Sequence, residues 1–166
     1  MNVEIERKYL VSDQSWRKCA TTVSAFRQAY IAVAGDRTVR IRTINARRAT
    51  LTVKIRTGPL EREEFEYDLP YCEALRLMGH RIGVVLEKNR YDVIFQGHSW
   101  EVDVYEGVHH GLVVAEIELR DAKDTFPQPI WLGREITGER SYSNRILAMT
   151  QSDKFFPKAP VLDAVQ

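Results

Sequence analysis

Charged residues recur at alternate positions in seven short segments of this sequence, and all but the first of these segments carry charges of one sign. Because successive side chains of a β-strand point to opposite faces, charges two residues apart share one face. The other face of almost every segment is Val, Ile, Leu or an aromatic residue. The charged sets are Glu4/Glu6/Lys8, Arg40/Arg42, Lys54/Arg56, Glu64/Glu66, Lys88/Arg90, Glu101/Asp103 and Glu116/Glu118. The sequence therefore predicts strands with one charged face and one apolar face.

The segments between these charges predict the remaining elements. An eighth strand is expected at residues 28–33, which carry few charges. Ser12 and Asp13 can cap a helix over residues 14–25, and Pro70 is well placed to open a helix through Met78. The other predicted strands lie within residues 1–10 and at 38–43, 49–56, 62–69, 84–93, 100–105 and 111–119.

Length and composition restrict the class of protein. A chain of 166 residues that is 44% hydrophobic suits one domain with a proper core. The net charge of +1 provides no general basic field, so we expect no nucleic-acid partner. No apolar run approaches the length of a membrane helix, so we expect no membrane partner and a cytoplasmic location. We divide the chain into a domain at 1–150 and a C-terminal tail or lid at 151–166.

Two architectures can present such strands. In an open sheet the charged faces point into solvent, whereas in a closed barrel they line a polar lumen and helices cover the apolar exterior. Concentrating this many cations and anions gains little on a flat exposed sheet. We therefore favour a closed barrel in which the charged faces meet.

The ordered pairs carry a family resemblance. Together with Trp131-Leu132-Gly133-x-Glu135-Ile136-Thr137 and Tyr142-Ser143-Asn144, they resemble the CYTH, or triphosphate tunnel metalloenzyme, family from Val3 to about Ala148. The sequence of these motifs is most similar to that of short bacterial members of the family, which are associated with inorganic triphosphate hydrolysis. The resemblance implies an α+β fold: an eight-stranded antiparallel closed β-barrel, or tunnel, with a charged lumen and helices packed outside. Family members often pair, so a homodimer is compatible with it.

The chemistry of a triphosphate fits the basic residues independently of the family. A polyanion needs a cationic cradle, in which Arg forms forked hydrogen bonds to phosphate oxygens and Lys supplies a compact charge. The candidate phosphate ligands are Lys8, Arg40, Arg42, Lys54, Arg56, Lys88 and Arg90.

The acidic residues suit a hard divalent cation, because Mg²⁺ binds carboxylate oxygens together with phosphates and water. We expect Mg²⁺ or Mn²⁺, two per site when substrate is bound. The candidate metal ligands are Glu4, Glu6, Asp103, Glu116 and Glu118, and the candidate catalytic set is Glu4, Glu6, Lys8, Glu64, Glu66 and Glu101. Glu64, Glu66 and Glu101 could bind a second metal, orient water or hold basic side chains, and the sequence does not separate these roles.

Three functions follow from this reading. The first is metal-dependent hydrolysis of inorganic triphosphate, a small-molecule substrate, to pyrophosphate and phosphate. The second is another reaction on the same scaffold: cyclisation of ATP by a class IV adenylyl cyclase, or hydrolysis of thiamine or nucleoside triphosphates. The third is a polyphosphate-binding module without turnover. The full acidic set argues against the third, because a pure polyanion binder has no evident need for eight inward carboxylates.

Overall fold

The computed structural model describes residues 5–58 and 62–150. These residues form nine strands and two α-helices, α1 at Tyr71–Met78 and α2 at Asn144–Met149. Short 3₁₀ helices occupy Ser15–Cys19, Gly107–His109 and Arg140–Tyr142. The strands are β1 Ile5–Val11, β2 Ala20–Ala34, β3 Arg37–Ile44, β4 Arg48–Arg56, β5 Arg62–Leu69, β6 Ile82–Phe95, β7 His98–Glu106, β8 Val113–Leu119 and β9 Leu132–Glu135.

All nine strands join one antiparallel sheet in the order β5-β4-β3-β2-β6-β7-β8-β1-β9. The sheet rolls round, as shown by Arg62 of β5, which donates a hydrogen bond of 2.9 Å to Glu6 of β1, seven places along the order. We call the face on which these two side chains meet the inner face. The alternation of each strand places the charged sets on this face.

Hydrogen bonds do not close the described sheet, so the predicted eight-stranded closed barrel differs from the structure. The difference arises at β1, where Tyr9 and Val11 pair with the unpredicted strand β9. That pairing occupies part of the edge that a closed barrel would offer to β5. The two sides of the rolled sheet are instead linked by the Arg62–Glu6 ion pair.

The outer face carries the apolar core. Trp100 packs edge-to-face against Tyr9 and Trp131, with ring centroids 5.9 and 5.5 Å apart. Farther round the sheet, Ala74 and Met78 of α1 are buried against Ile41 in a second cluster. The predicted helix at residues 70–78 is therefore confirmed, and it covers the outer face as expected.

The predicted helix at residues 14–25 is wrong. Only the 3₁₀ turn Ser15–Cys19 forms, and from Ala20 onward the chain belongs to the 15-residue strand β2. The β-branched run of residues 21–23 favours an extended chain, and Val23 pairs with Tyr91 of β6. Trp16 is buried and packs on the same Tyr91 ring at 5.0 Å.

Apolar residues fill one end of the inner face. We call this cluster the plug; its buried members are Tyr30, Leu86, Tyr105, Leu112, Val114, Ile136, Tyr142, Leu147 and Ala148. Helix α2 supplies the last two residues and docks where Gly83 has a φ of +71°. A Cβ on Gly83 would lie 2.1 Å from the carbonyl oxygen of Ala148, so only glycine permits this approach.

No helix among the described residues is long and apolar enough to cross a membrane.

Candidate active site

The structure brings the predicted site residues together on the inner face. Glu4 lies outside the described residues; Arg56 and Glu118, like Glu66, are exposed members of this face. The remaining predicted members on this face are Glu6, Lys8, Arg40, Arg42, Lys54, Glu64, Glu66, Lys88, Arg90, Glu101, Asp103 and Glu116. Their antiparallel pairing sets side chains of opposite charge beside one another across neighbouring strands.

Arg90 of β6 is the centre of an acidic wall built by β7 and β8. Its Nε and Nη2 donate to the two oxygens of Asp103 at 2.7 and 2.8 Å. Nη1 pairs with Glu101, and Nη2 lies 3.6 Å from Glu116. Burial raises the pKa of Glu101, with Arg90 opposing the rise and Glu116 adding to it.

Asp103 is fully buried and also accepts a hydrogen bond from Lys88. Against the effect of burial, Lys88 and Arg90 hold the pKa of Asp103 well below its ordinary range. Burial lowers the pKa of Lys88 to about 8, although Asp103 acts to raise it, and Arg90 adds a like charge that lowers it. A metal ion at Asp103 would have to displace these donors.

Lys8 connects the acidic wall to β1. Its Nζ lies 2.8 Å from Glu116 across the β1–β8 pairing. Burial opposes the charged amine, but the charges of Glu116 and Glu6 raise the pKa of Lys8. Lys8 therefore stays protonated well above neutral pH.

A second group of charges lies on β3, β4 and β5. Lys54 pairs with Glu64 at 2.7 Å, and Arg40 lies 3.7 Å from Glu64 and 3.8 Å from Glu66. Arg40 also donates to the Thr52 hydroxyl at 3.1 Å. Burial, reinforced by the nearby Arg40, lowers the pKa of Lys54.

Several buried donors on this side lack partners among the described residues. They include Nε of Arg40 and Nε2 of Gln28. Within the described part of the chain, Arg42 donates its side-chain hydrogen bonds to Gln28 Oε1, at 3.3 Å from both Nε and Nη2. Unpaired donors and positive charge in one enclosed place suit a ligand rich in anionic oxygens.

Sequence reasoning missed three residues of the inner face. Arg62 could have been predicted, because it continues the alternation of Glu64 and Glu66 by one step. In the structure it pairs with Glu6. Gln28 and Phe26 gave no signal, because they are uncharged and the search relied on charge. The structure places both beside Arg42.

Two carboxylates that could hold a metal ion, Glu6 and Glu118, lie side by side on β1 and β8, although Glu6 already accepts a hydrogen bond from Arg62. Glu118 is directly opposite Glu6 in the β1–β8 register, and it is exposed and forms no ion pair with the described residues. Within residues 5–58 and 62–150 no three acidic, histidine or cysteine side chains converge as a metal site. Two carboxylates nevertheless fit Mg²⁺, which commonly takes one or two from the protein and its other ligands from phosphate and water.

Comparison with known proteins identifies the architecture. The model of the CYTH domain matches residues 2–146 of the 166-residue chain. The chain belongs to the CYTH domain family. The sheet with a charged inner face is thus the CYTH fold, and the resemblance carried by the sequence motifs is confirmed.

Two CYTH relatives carry the name inorganic triphosphatase. The protein of Acetivibrio thermocellus is 40% identical over 156 residues, spanning 93% of this chain and 99% of the relative. The protein of Nitrosomonas europaea is 30% identical over 150 residues, spanning 89% of this chain and 97% of the relative. A crystal structure of an inorganic triphosphatase superposes with a TM-score of 0.69 at 27% identity, covering 92% of this chain and 98% of that one.

Proposed function

We propose that this CYTH protein hydrolyses inorganic triphosphate to pyrophosphate and phosphate on its inner face, in a reaction that depends on Mg²⁺ or Mn²⁺. The observation that carries the proposal is the partly buried guanidinium of Arg42, which has no carboxylate partner among the described residues and lies near the unpartnered donors of Gln28 and Arg40. Such a site favours a polyanion. The name shared by the two relatives supports triphosphate as that polyanion.

The cations divide into two roles in this proposal. Arg40 and Arg42, with free or weakly used donors, bind phosphate oxygens through forked hydrogen bonds. Lys88 and Arg90 are held by Asp103, so their contribution is a fixed positive potential along the path of the phosphates. In both roles the cations stabilise the negative charge that develops on the leaving pyrophosphate.

Glu6 and Glu118 are the described residues that would hold a divalent cation. When bound, the cation would neutralise phosphate charge and lower the pKa of a water molecule for attack on the terminal phosphorus. Glu101, whose pKa is raised, lies across from Glu116 in the β7–β8 register and can accept a proton from a nearby water. Glu64 and Glu66 hold Arg40 and Lys54 in this proposal.

Phosphate release from a panel of triphosphates tests the proposal. We expect tripolyphosphate to be hydrolysed with Mg²⁺ or Mn²⁺ and not in EDTA, and to be preferred over ATP and thiamine triphosphate. Glu118→Gln should abolish the activity, whereas Glu73→Gln on the exposed side of α1 should retain it. Release of no phosphate with either metal, or formation of cyclic AMP as the main product, would overturn the proposal.

A further inference from the structure

Strand β2 places two uncharged side chains, Phe26 and Gln28, among the ions of the inner face. Gln28 is fully buried and Phe26 is 9% exposed. Both residues lie on the strand between β3, which carries Arg42, and β6, which carries Lys88 and Arg90. Their position separates the guanidinium of Arg42 from the carboxylates of the acidic wall.

Arg42 differs from the other partly buried cations in what holds it. Lys8, Lys54 and Arg90 each lie within 2.8 Å of a carboxylate oxygen. Arg42 instead donates to the amide oxygen of Gln28 and lies over the ring of Phe26, 4.8 Å from its centroid. Both contacts orient a guanidinium without neutralising it.

The environment of Arg42 makes its charge costly to keep. Burial lowers the pKa of Arg42 to about 10, and the like charges of Arg40 and Arg90 add to the effect. At neutral pH the residue is still a cation. The charges of Asp103 and Glu66 oppose the lowering of its pKa, but no carboxylate of the described residues lies within ion-pair distance of it. A bound polyanion would supply a counter-ion at that distance.

The ring of Phe26 serves more than one cation. Its centroid lies 5.3 Å from the guanidinium of Arg90 and 6.0 Å from Nζ of Lys88, in addition to the contact with Arg42. An aromatic ring attracts cations through its quadrupole, so one ring can hold like charges in a common cluster. An aliphatic residue of similar size would fill the space without that attraction.

Gln28 has a second polar atom to offer. Because its Oε1 accepts from Arg42, the amide places Nε2 as a donor, and that buried nitrogen has no partner among residues 5–58 and 62–150. A phosphate oxygen bound to Arg42 would be within the same group of donors. Gln28 can therefore hold Arg42 with one atom and contact substrate with the other.

We propose that Gln28 and Phe26 form a neutral cradle that positions Arg42 while leaving its positive charge available, and that Gln28 also donates to a phosphate oxygen of the triphosphate. Phe26 is a positioning residue, since it acts through the cations that it faces. This inference rests on the proposed function, because it takes tripolyphosphate as the ligand.

Gln28→Glu tests the neutrality of the cradle. The variant keeps the size and the acceptor but adds a carboxylate beside Arg42 and removes the Nε2 donor. We expect tripolyphosphate binding, titrated by calorimetry in EDTA, to weaken roughly ten- to a hundredfold, and KM in Mg²⁺ to rise by a similar factor. The midpoint of urea unfolding should stay the same or increase, because a new ion pair forms. Gln128→Glu, at an exposed position, should bind like the wild type.

Phe26→Leu tests the ring, with Phe26→Trp as the conservative rescue. We expect Phe26→Leu to raise KM about three- to tenfold and Phe26→Trp to restore most of the loss. A residue that merely fills space would show the reverse order, because leucine fits the site and tryptophan overfills it. That reverse order would overturn the role of the ring.

The outcomes separate this inference from the proposed function. If the wild type hydrolyses tripolyphosphate and Gln28→Glu binds it with unchanged affinity and KM, the cradle is wrong and the proposed function stands. If the wild type neither binds nor hydrolyses tripolyphosphate, the proposed function fails and the cradle is overturned with it.

Discussion

Individual side chains on the inner face are fixed by charge pairs that have little access to water. Asp103 is the clearest case, because it is fully buried and its two oxygens accept from Lys88 and Arg90. Breaking a buried pair costs far more than the net worth of the pair, because a charge is left without a partner in a poorly solvated place. The acidic wall is therefore sensitive to single substitutions.

Asp103→Asn should destabilise the fold strongly. The amide cannot neutralise Lys88 and Arg90, so we expect the free energy of unfolding in urea to fall by about 3–5 kcal/mol. Glu118→Gln is the matched control, since Glu118 is exposed and unpaired among the described residues, and it should change stability by less than about 0.5 kcal/mol. Equal stabilities of the two variants would contradict the assignment of Asp103 as the anchor of this wall.

The lowered pKa of Lys88 predicts a pH dependence of substrate affinity. Lys88 is protonated below its pKa of about 8 and neutral above it, so its attraction for a polyanion is lost as pH rises through that value. We expect KM for tripolyphosphate to rise roughly fivefold between about pH 7 and pH 9, or about 1 kcal/mol.

Lys88→Met provides the comparison, because it has no charge to lose. The KM of this variant should be higher than that of the wild type at neutral pH. It should also change less between about pH 7 and pH 9. A wild-type KM that is as flat as that of Lys88→Met would show that Lys88 does not titrate there.

Charged residues of the site could be predicted from the sequence, whereas uncharged ones could not. The alternation of like charges predicts that Lys88, Arg90 and Asp103 lie on one face of the sheet. The role of Gln28 and Phe26 was not predicted, because the sequence of one strand does not distinguish an amide or ring on the inner face from one in the core. Their importance depends on Arg42, which comes from a different strand.

Single elements decide how the inner face is bounded. Strand β2 runs for 15 residues and includes residues 20–25 of the segment predicted as a helix, because pairing with β6 outweighed the helical propensity of that segment. Helix α1 was predicted correctly from Pro70. Strand β9 is only four residues long and has no alternating pattern of its own, so its sequence gave little sign of it.

Gly83→Ala should undock α2. The substitution combines a left-handed backbone, φ +71°, with a contact of 2.1 Å to the Ala148 carbonyl oxygen. We expect the free energy of unfolding to fall by about 3 kcal/mol or more.

Gly97→Ala isolates the clash from the backbone strain. Gly97 has a similar φ of +79°, but nothing lies within 4 Å of an added Cβ. It should lose only about 1–2 kcal/mol. If the two variants are equally stable in urea, the close approach of α2 to β6 contributes nothing to stability.

For the whole molecule, the sequence and its family resemblance predicted an eight-stranded closed barrel with charges inside. The charged inner face formed, but the described residues give one nine-stranded sheet that hydrogen bonds do not close. Charges at alternate positions require one charged face on each strand. They carry no information on whether the two edges of the sheet pair with each other. A homodimer, a cytoplasmic location and a C-terminal tail or lid stay predictions, the last because residues 151–166 lie outside the described residues.

Arg62→Ala should loosen the rolled sheet without unfolding it. The ion pair with Glu6 links β5 to β1, and both side chains are about one-third exposed, so its loss should cost no more than about 1 kcal/mol. We expect faster amide hydrogen exchange in β5 and a higher KM for tripolyphosphate. Arg48→Ala, which removes an exposed ion pair with Asp68 from the same region, should change neither. Unchanged exchange in β5 would show that the link does not hold the two sides together.

The plug has a consequence for turnover. Tyr105, Val114 and Leu147 block one end of the inner face with packed side chains, while the exposed Glu118 marks the other. If the protein hydrolyses triphosphate as proposed, substrate and both cleavage products would enter and leave at the end marked by Glu118. Bound pyrophosphate would then block the next triphosphate, so product release would have to precede substrate binding in each turnover.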